Sequence, residues 1–450
     1  MRKLTSVQAI LFVLGSRIIG TLLSNVLSCL PALHAYNVLG GLLLLQYALI
    51  DHGIRLPPEV YVPFMTSMIV GWFMLNTIPS ILLGAPDESA LFTVLPGQKY
   101  LMTGRGYEGT MMAGVGGLLG VFFLVFIVAP FAPRVLPLIR EVLTPHIHWI
   151  LWIIVTYMLM AEWPKGGTSG ISGWPKFFDA WKSLGAGLAT FLLSGVFGFI
   201  LLYRSPVSID VAFQNIMPAF VGLFAIPSCL LNIISGTEIP PQKTSPHLEI
   251  DGDIMWRSMA AGGLGGGIAA FFPVITGGIG GMLAGHATAQ RDERVFLISQ
   301  GVSKLVYYTG AFLMFFVPML SVKRRGAAWM VQGIHVPQGY YDYYMVLAAI
   351  ALSGAISFLM MSPLTHLTLY VIDKVNYRTA STVAFMIIIM LVFMVVSWSG
   401  LLIMVVGTAI GLIPVLFGSR RLNCLGVLLL PIACNMSGVG TKVATWLKLI

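Results

Sequence analysis

The chain is short of charge. Of its 450 residues only 10% are Asp, Glu, Lys or Arg, against roughly 25% in an ordinary soluble domain. With 57% apolar residues and a mean hydropathy of +0.88, that shortage excludes a soluble globular protein and a disordered one alike. The four cysteines, Cys29, Cys229, Cys424 and Cys434, have no C-x-x-C spacing and lie in or beside apolar runs, which suits buried inert thiols better than a metal or redox centre. There is no HExxH, no GxSxG and no Cys/His ligand set, so no enzymatic chemistry and no cofactor are expected. "GGIGG" at 277–281 is not a phosphate loop, because no Lys-Ser or Lys-Thr pair follows it. The ten-residue alternation of a membrane β-barrel is missing too.

What the chain has instead is apolar runs of about 18 residues or more, each long enough to cross roughly 30 Å of hydrocarbon as a helix. They predict an all-α polytopic membrane protein with about 11 to 13 transmembrane helices, multi-pass in the cytoplasmic (inner) membrane. The opening "MRKLTSVQAILFVLG" resembles a signal peptide, but residues 6–28 read as the first membrane helix. The formal net charge of +9 is dispersed among short loops, densest at "VKRRG" and "GSRRLN". Such loops orient a membrane protein and meet anionic lipid, and nucleic acid is not an expected partner.

One polar stretch, "SGTEIPPQKTSPHLEIDGD" at 235–253, interrupts the pattern. It reads as a linker and divides the chain into a first transmembrane half at 1–235, a linker at 236–253 and a second half at 254–450. Each half carries a glycine-bearing helix that runs into a proline: "SCLPALHAYNVLG" at 28–40 and "GGLGGGIAAFFPVITGGIGG" at 262–281. With Pro273 laid on Pro31, an offset of 273 − 31 = 242, Gly262 falls on Gly20, Leu264 on Leu22, Phe272 on Leu30 and Ile275 on Leu33. Proline removes a backbone donor and glycine permits irregular backbone, so helical hydrogen bonding is expected to stop at both places. Unpaired backbone at membrane depth survives only inside protein or beside a wet cavity. Two related halves with broken or re-entrant helices are the pattern of a repeat-built transporter, whose half-helix N-termini attract anions and whose carbonyl ends suit cations.

Candidate binding residues cluster at these breaks: Pro31, Ala32, His34 and Asn37 in the first, Pro273, Thr276, Gly277 and Gly278 in the second. His34 is a candidate proton acceptor or substrate ligand. Asn37 and Thr276 offer neutral oxygens to sodium or hydrogen bonds to a carboxylate, and Asn76, Asn435 and Ser437 are expected to complete such a shell from other helices. Arg17 and Lys304 are the cations placed to lie within the bilayer as counter-ions for an anion; snorkelling is the plainer alternative for both. Asp87 and Glu88 read as a loop pair near Lys99 or Arg105.

The stretch "LLGAPDESALFTVLPGQKYLMTGRGYEG" at 82–109, together with "LPALHAYN", "FFPVITGGIGG", "DERVFLISQG" at 292–301 and "CLGVLLLPIACN" at 424–435, resembles the TctA family. These are the large membrane subunits of tripartite tricarboxylate transporters, and the likeness is to a divergent branch seen in archaea and some bacteria. The resemblance implies a two-repeat secondary transporter that moves carboxylates such as citrate, coupled to sodium or protons, with a small membrane subunit and a periplasmic binding protein as partners. A homodimer or membership of a larger membrane complex follows by analogy alone. One departure stands out: the family's breaks read leu-pro-gly, whereas Ala32 and Val274 follow the prolines here. A side chain where glycine permits close approach reshapes a site. The alternative to transport is therefore a non-transporting subunit kept as a scaffold or anchor.

Overall fold

The computed structural model describes residues 6–30, 33–54, 56–84, 91–163, 172–207, 216–235, 239–244, 248–288, 292–320, 322–323, 325–375 and 377–450, and every regular element among them is helical. The helices fall into two compact units. Each unit takes one stretch from before and one from after the polar segment at 235–253.

The first unit joins Met1–Ile139 to Thr237–Ala380. It opens with α1 (Ser6–Leu27), α2 (Ala35–Asp51), α3 (Pro58–Leu75), α4 (Thr77–Leu82), α5 (Leu91–Met102) and α6 (Gly106–Phe122), and its first stretch ends within α7 (Ala132–Leu143). The second unit joins Arg140–Gly236 to Ser381–Ile450, and its first stretch holds α8 (Ile147–Met160), α9 (Trp174–Tyr203), α10 (Ile216–Phe220) and α11 (Ile226–Ser235). The first unit resumes with α12 (Gly252–Phe271), α13 (Gly277–Ala287), α14 (Glu293–Phe316), α15 (Arg325–Gln332) and α16 (Tyr340–Lys374). The second closes with most of α17 (Tyr377–Phe417), then α18 (Gly426–Met436) and α19 (Gly440–Trp446).

Seven helical segments among the described residues are long and apolar enough to cross a membrane, and an eighth if α18 and α19, bent by 117°, count as one span. The protein is a multi-pass membrane protein. α12 and α14, at 20 and 24 residues, have the length but are richer in glycine, serine and charge. α17 is 41 residues long and would reach about 60 Å if straight, twice the hydrocarbon thickness. It does not run straight. Ser397 has φ 63° and ψ −154°, and a Cβ placed on Gly400 would lie 3.2 Å from Val392 Cγ1, although eight residues of helix rise about 12 Å. The chain folds back at Ser397 into two arms, 377–396 and 398–417.

Glycine sets the packing of the first unit. Gly262 and Gly266 of α12 lie against Ser299, Val302, Ser303 and Val306 of α14, so these two helices run parallel. α13 returns between them: Gly280 meets Gly265 on α12, while Gly277 and Gly281 meet Lys304 and Gln300 on α14 in antiparallel order. α1 and α3 repeat the parallel relation, with Gly20 on Phe64 and Ser67 and Gly71 on Thr21, Ser24 and Asn25. Approach this close is what glycine allows between membrane helices, where dispersion and backbone contact replace the hydrophobic drive.

Candidate functional site

The second break forms as its sequence dictates. α12 ends at Phe271 because Pro273 cannot continue it. Val274 turns the chain with φ 67°, a left-handed conformation that suits glycine and strains a β-branched side chain. Ile275 and Thr276 are buried, and the extended Thr276 caps α13 by accepting a 3.4 Å hydrogen bond from the Ile279 N–H. At 11 residues, α13 is about 16 Å long and too short to span a bilayer. The turn at 272–276, apolar except for Thr276, is therefore the tip of a helical hairpin.

At the first break α1 ends at Leu27, and His34 caps α2, its Nδ1 accepting from the Tyr36 N–H at 3.2 Å. Pro31 and Ala32 lie outside the described residues. The caps His34 and Thr276 are separated by 276 − 34 = 242 positions, the offset that superposes the two prolines. Asn37 sits in the first turn of α2, its Nδ2 buried without a hydrogen-bond partner among the described residues. A third interruption separates α3 from α4 at Asn76, which is buried.

These three places meet along α14. The His34 ring lies 6.0 Å from Phe73 and 6.2 Å from Tyr308, edge-on to both. One turn before Tyr308, Lys304 is 3% exposed, and its ammonium donates to Asn76 Oδ1 and Thr77 Oγ1. The backbone of Lys304 and the ring of Tyr307 pack on Gly277, and Ser303 Oγ donates to the Gly277 carbonyl at 2.9 Å. One turn earlier again is Gln300, 2% exposed, with neither end of its amide partnered among the described residues. A buried polar group left unmet costs about 1–3 kcal/mol, so this face of α14 is an expensive place for polar side chains. Gln300, Lys304 and Tyr308 stand at i, i+4 and i+8. That spacing is the sequence signal for a polar face, whereas Lys304 stands out as an intramembrane cation by its charge alone; Phe73 and Thr77 carry no signal.

Other candidates lie elsewhere. Arg17 is ten residues from the end of α1, about 15 Å along the helix, and its Nη2 donates to the Met345 carbonyl at 3.3 Å. Asn435 and Ser437 belong to the second unit, at the bend between α18 and α19. There Tyr203 Oη donates to Asn435 Oδ1, and Trp152 Nε1 donates to Ser437 Oγ at 2.9 Å. Asp87 and Glu88 fall outside the described residues; Lys99 pairs with Glu293 and Arg105 with Glu108.

Helices that break around buried polar side chains in a multi-pass protein are an arrangement many membrane transporters use. The comparison with known families agrees. The chain belongs to the tripartite tricarboxylate transporter TctA family, whose model matches residues 14–426. That is a family of transporter components and not of enzymes. The chain is also 27% identical over 423 residues to an uncharacterized protein of Methanocaldococcus jannaschii, covering 92% of this chain and 96% of that one. No solved structure matches it.

Proposed function

We propose that this protein is the membrane subunit of a secondary-active transporter for an organic anion, a di- or tricarboxylate, coupled to Na+ or H+. The observation that carries this reading is that His34, which caps the helix after the first break, and Gly277, which opens the helix after the second, both pack on the Lys304–Tyr308 turn of α14. In it, Lys304 neutralises a substrate carboxylate. The N-termini of α2 and α13 add N–H donors that a helix leaves unpaired in its first turn. His34, Asn37, Asn76, Thr276, Gly277 and Gly278 line the site, and the amide and hydroxyl oxygens are ligands for the coupling ion. The corresponding order α1–α2–α3 and α12–α13–α14, with caps 242 residues apart (276 − 34), supports descent of the two halves from one repeat. A small membrane subunit and a periplasmic binding protein are the expected partners in the inner membrane, and a homodimer is the expected self-assembly.

A second reading, a scaffold subunit that no longer transports, is favoured by Val274, a β-branched residue with φ 67° where the resemblance leads one to expect glycine. The two separate by thermal unfolding of the detergent-purified protein with di- and tricarboxylates, in sodium or choline and across pH. A ligand at 100 times its dissociation constant adds about 2.7 kcal/mol. Transport predicts a sodium- or pH-dependent shift with one carboxylate, lost in Lys304→Gln and weakened in His34→Ala and Thr276→Val. A flat response from folded protein over the whole panel refutes it and leaves the scaffold.

A further inference from the structure

Gln300 is one of several buried polar groups of the first unit, Gln46 among them, to which the reading above gives no role; it is the one beside Lys304 on α14. It precedes Lys304 by one turn of α14, so the two heads leave the same face of the helix. Its Nε2 and Oε1 each lie 2.6 Å from where a Cβ on Gly281 would stand, while Gly277, one turn nearer the break on α13, packs on the backbone of Lys304 and on Tyr307. The amide is thus aimed at the first turns of α13, 2% exposed and unpartnered at both ends among the described residues. Buried polar groups nearly always have partners, and one that lacks them inside a glycine-packed three-helix layer calls for a physical reason.

We propose that Gln300 is a specificity-determining ligand of the transported anion. Lys304 holds one carboxylate, and Gln300 hydrogen-bonds a second polar substituent, a carboxyl or hydroxyl group, roughly 6 Å away along the helix face. This rests on the reading that the first unit binds a carboxylate at Lys304. The chemistry makes Gln300 a filter. A substrate with a second hydrogen-bonding group satisfies the amide, whereas an alkyl monocarboxylate of the same length leaves it buried and unmet, and such a mismatch discriminates far better than a change in bulk.

The test uses the full chain in detergent, with butyrate, succinate and malate as probes in sodium buffer and affinities read from thermal-shift titrations. Wild type is expected to bind succinate or malate about tenfold or more tighter than butyrate, the effect of one hydrogen bond to a charged or strongly polar group. Gln300→Met is expected to lose that preference while still binding butyrate, and to melt at a higher temperature without ligand because an unmet amide is gone. Equal wild-type affinity for the three acids overturns the proposal without any variant. A Gln300→Met protein that keeps the preference, as it would if an internal water satisfied the amide, overturns it too, and so does one that melts earlier. A wild type that binds none of these acids nor citrate overturns the transport reading itself, and this assignment with it.

Discussion

The ring of Phe73 lies flat on that of Tyr308, with centroids 3.4 Å apart and planes 5° from parallel. One ring belongs to α3 and the other to α14, and His34 packs edge-on against both. The stack therefore ties the first break to the helix that carries Lys304. Phe73→Ala is expected to cost about 3–5 kcal/mol, whereas Tyr308→Phe keeps both rings and stays within about 1.5 kcal/mol. Equilibrium unfolding of the two variants checks this, and equal losses refute the weight given to the stack.

At position 274 the usual order of alanine and glycine should invert. In ordinary backbone, Ala is more stable than Gly by about 0.4–1 kcal/mol. With φ at 67°, a Cβ costs roughly 1–2 kcal/mol. Both substitutions empty the space of the Val274 isopropyl group, so their difference isolates the backbone. Val274→Gly is expected to melt above Val274→Ala; the reverse order would mean the tip is not left-handed.

Two glycines on α12 give opposite signs. A Cβ on Gly265 would stand 2.5 Å from the backbone oxygen of Gly280, while one on Gly267 meets nothing within 4 Å. Gly265→Ala must push α13 away and is expected to cost about 1–3 kcal/mol. Gly267→Ala is expected to stabilise by about 0.5–1 kcal/mol through helix propensity. Melting temperatures of the pair report whether the hairpin is packed as closely as described.

Asp292 makes acid sensitivity local. It caps α14, accepting from the Arg294 N–H at 2.8 Å, and the Arg294 guanidinium hydrogen-bonded to it holds its carboxyl below the ordinary value of 3.8. A carboxylate with a depressed folded pKa contributes stability that is complete above that ordinary value and is lost as pH falls through the folded one. Wild type is expected to exceed Asp292→Ala by about 1 kcal/mol near neutral pH, the worth of a cap. The gap should shrink in acid below pH 4. A pH-independent gap would remove the electrostatic part of the argument.

Much of this was legible in the residues. Low charge and long apolar runs gave the helical membrane fold, and Pro273 and Thr276 marked a break because proline and glycine act locally. His34 was legible for the same reason. Partnering was not. Whether Asn435 and Ser437 join the same shell as Asn76 depends on which helices pack, and the structure places them in the second unit. Gln300 becomes distinct only when Gly281 brings α13 against it, and Phe73 and Tyr308 only when α3 and α14 stack their rings. Contacts of that kind are set by shape complementarity between distant segments, which no local pattern encodes.

The fold-back at Ser397 also bears on how the chain enters the membrane. Its arms, 377–396 and 398–417, are each about one bilayer long, yet no extramembrane loop separates them. With a single residue between them, the two arms are expected to enter lipid together, as one hairpin. Lengthening the connection with a few glycines would uncouple the arms. A glycosylation acceptor placed there would then record, for the first time in biogenesis, which face of the bilayer the apex reaches.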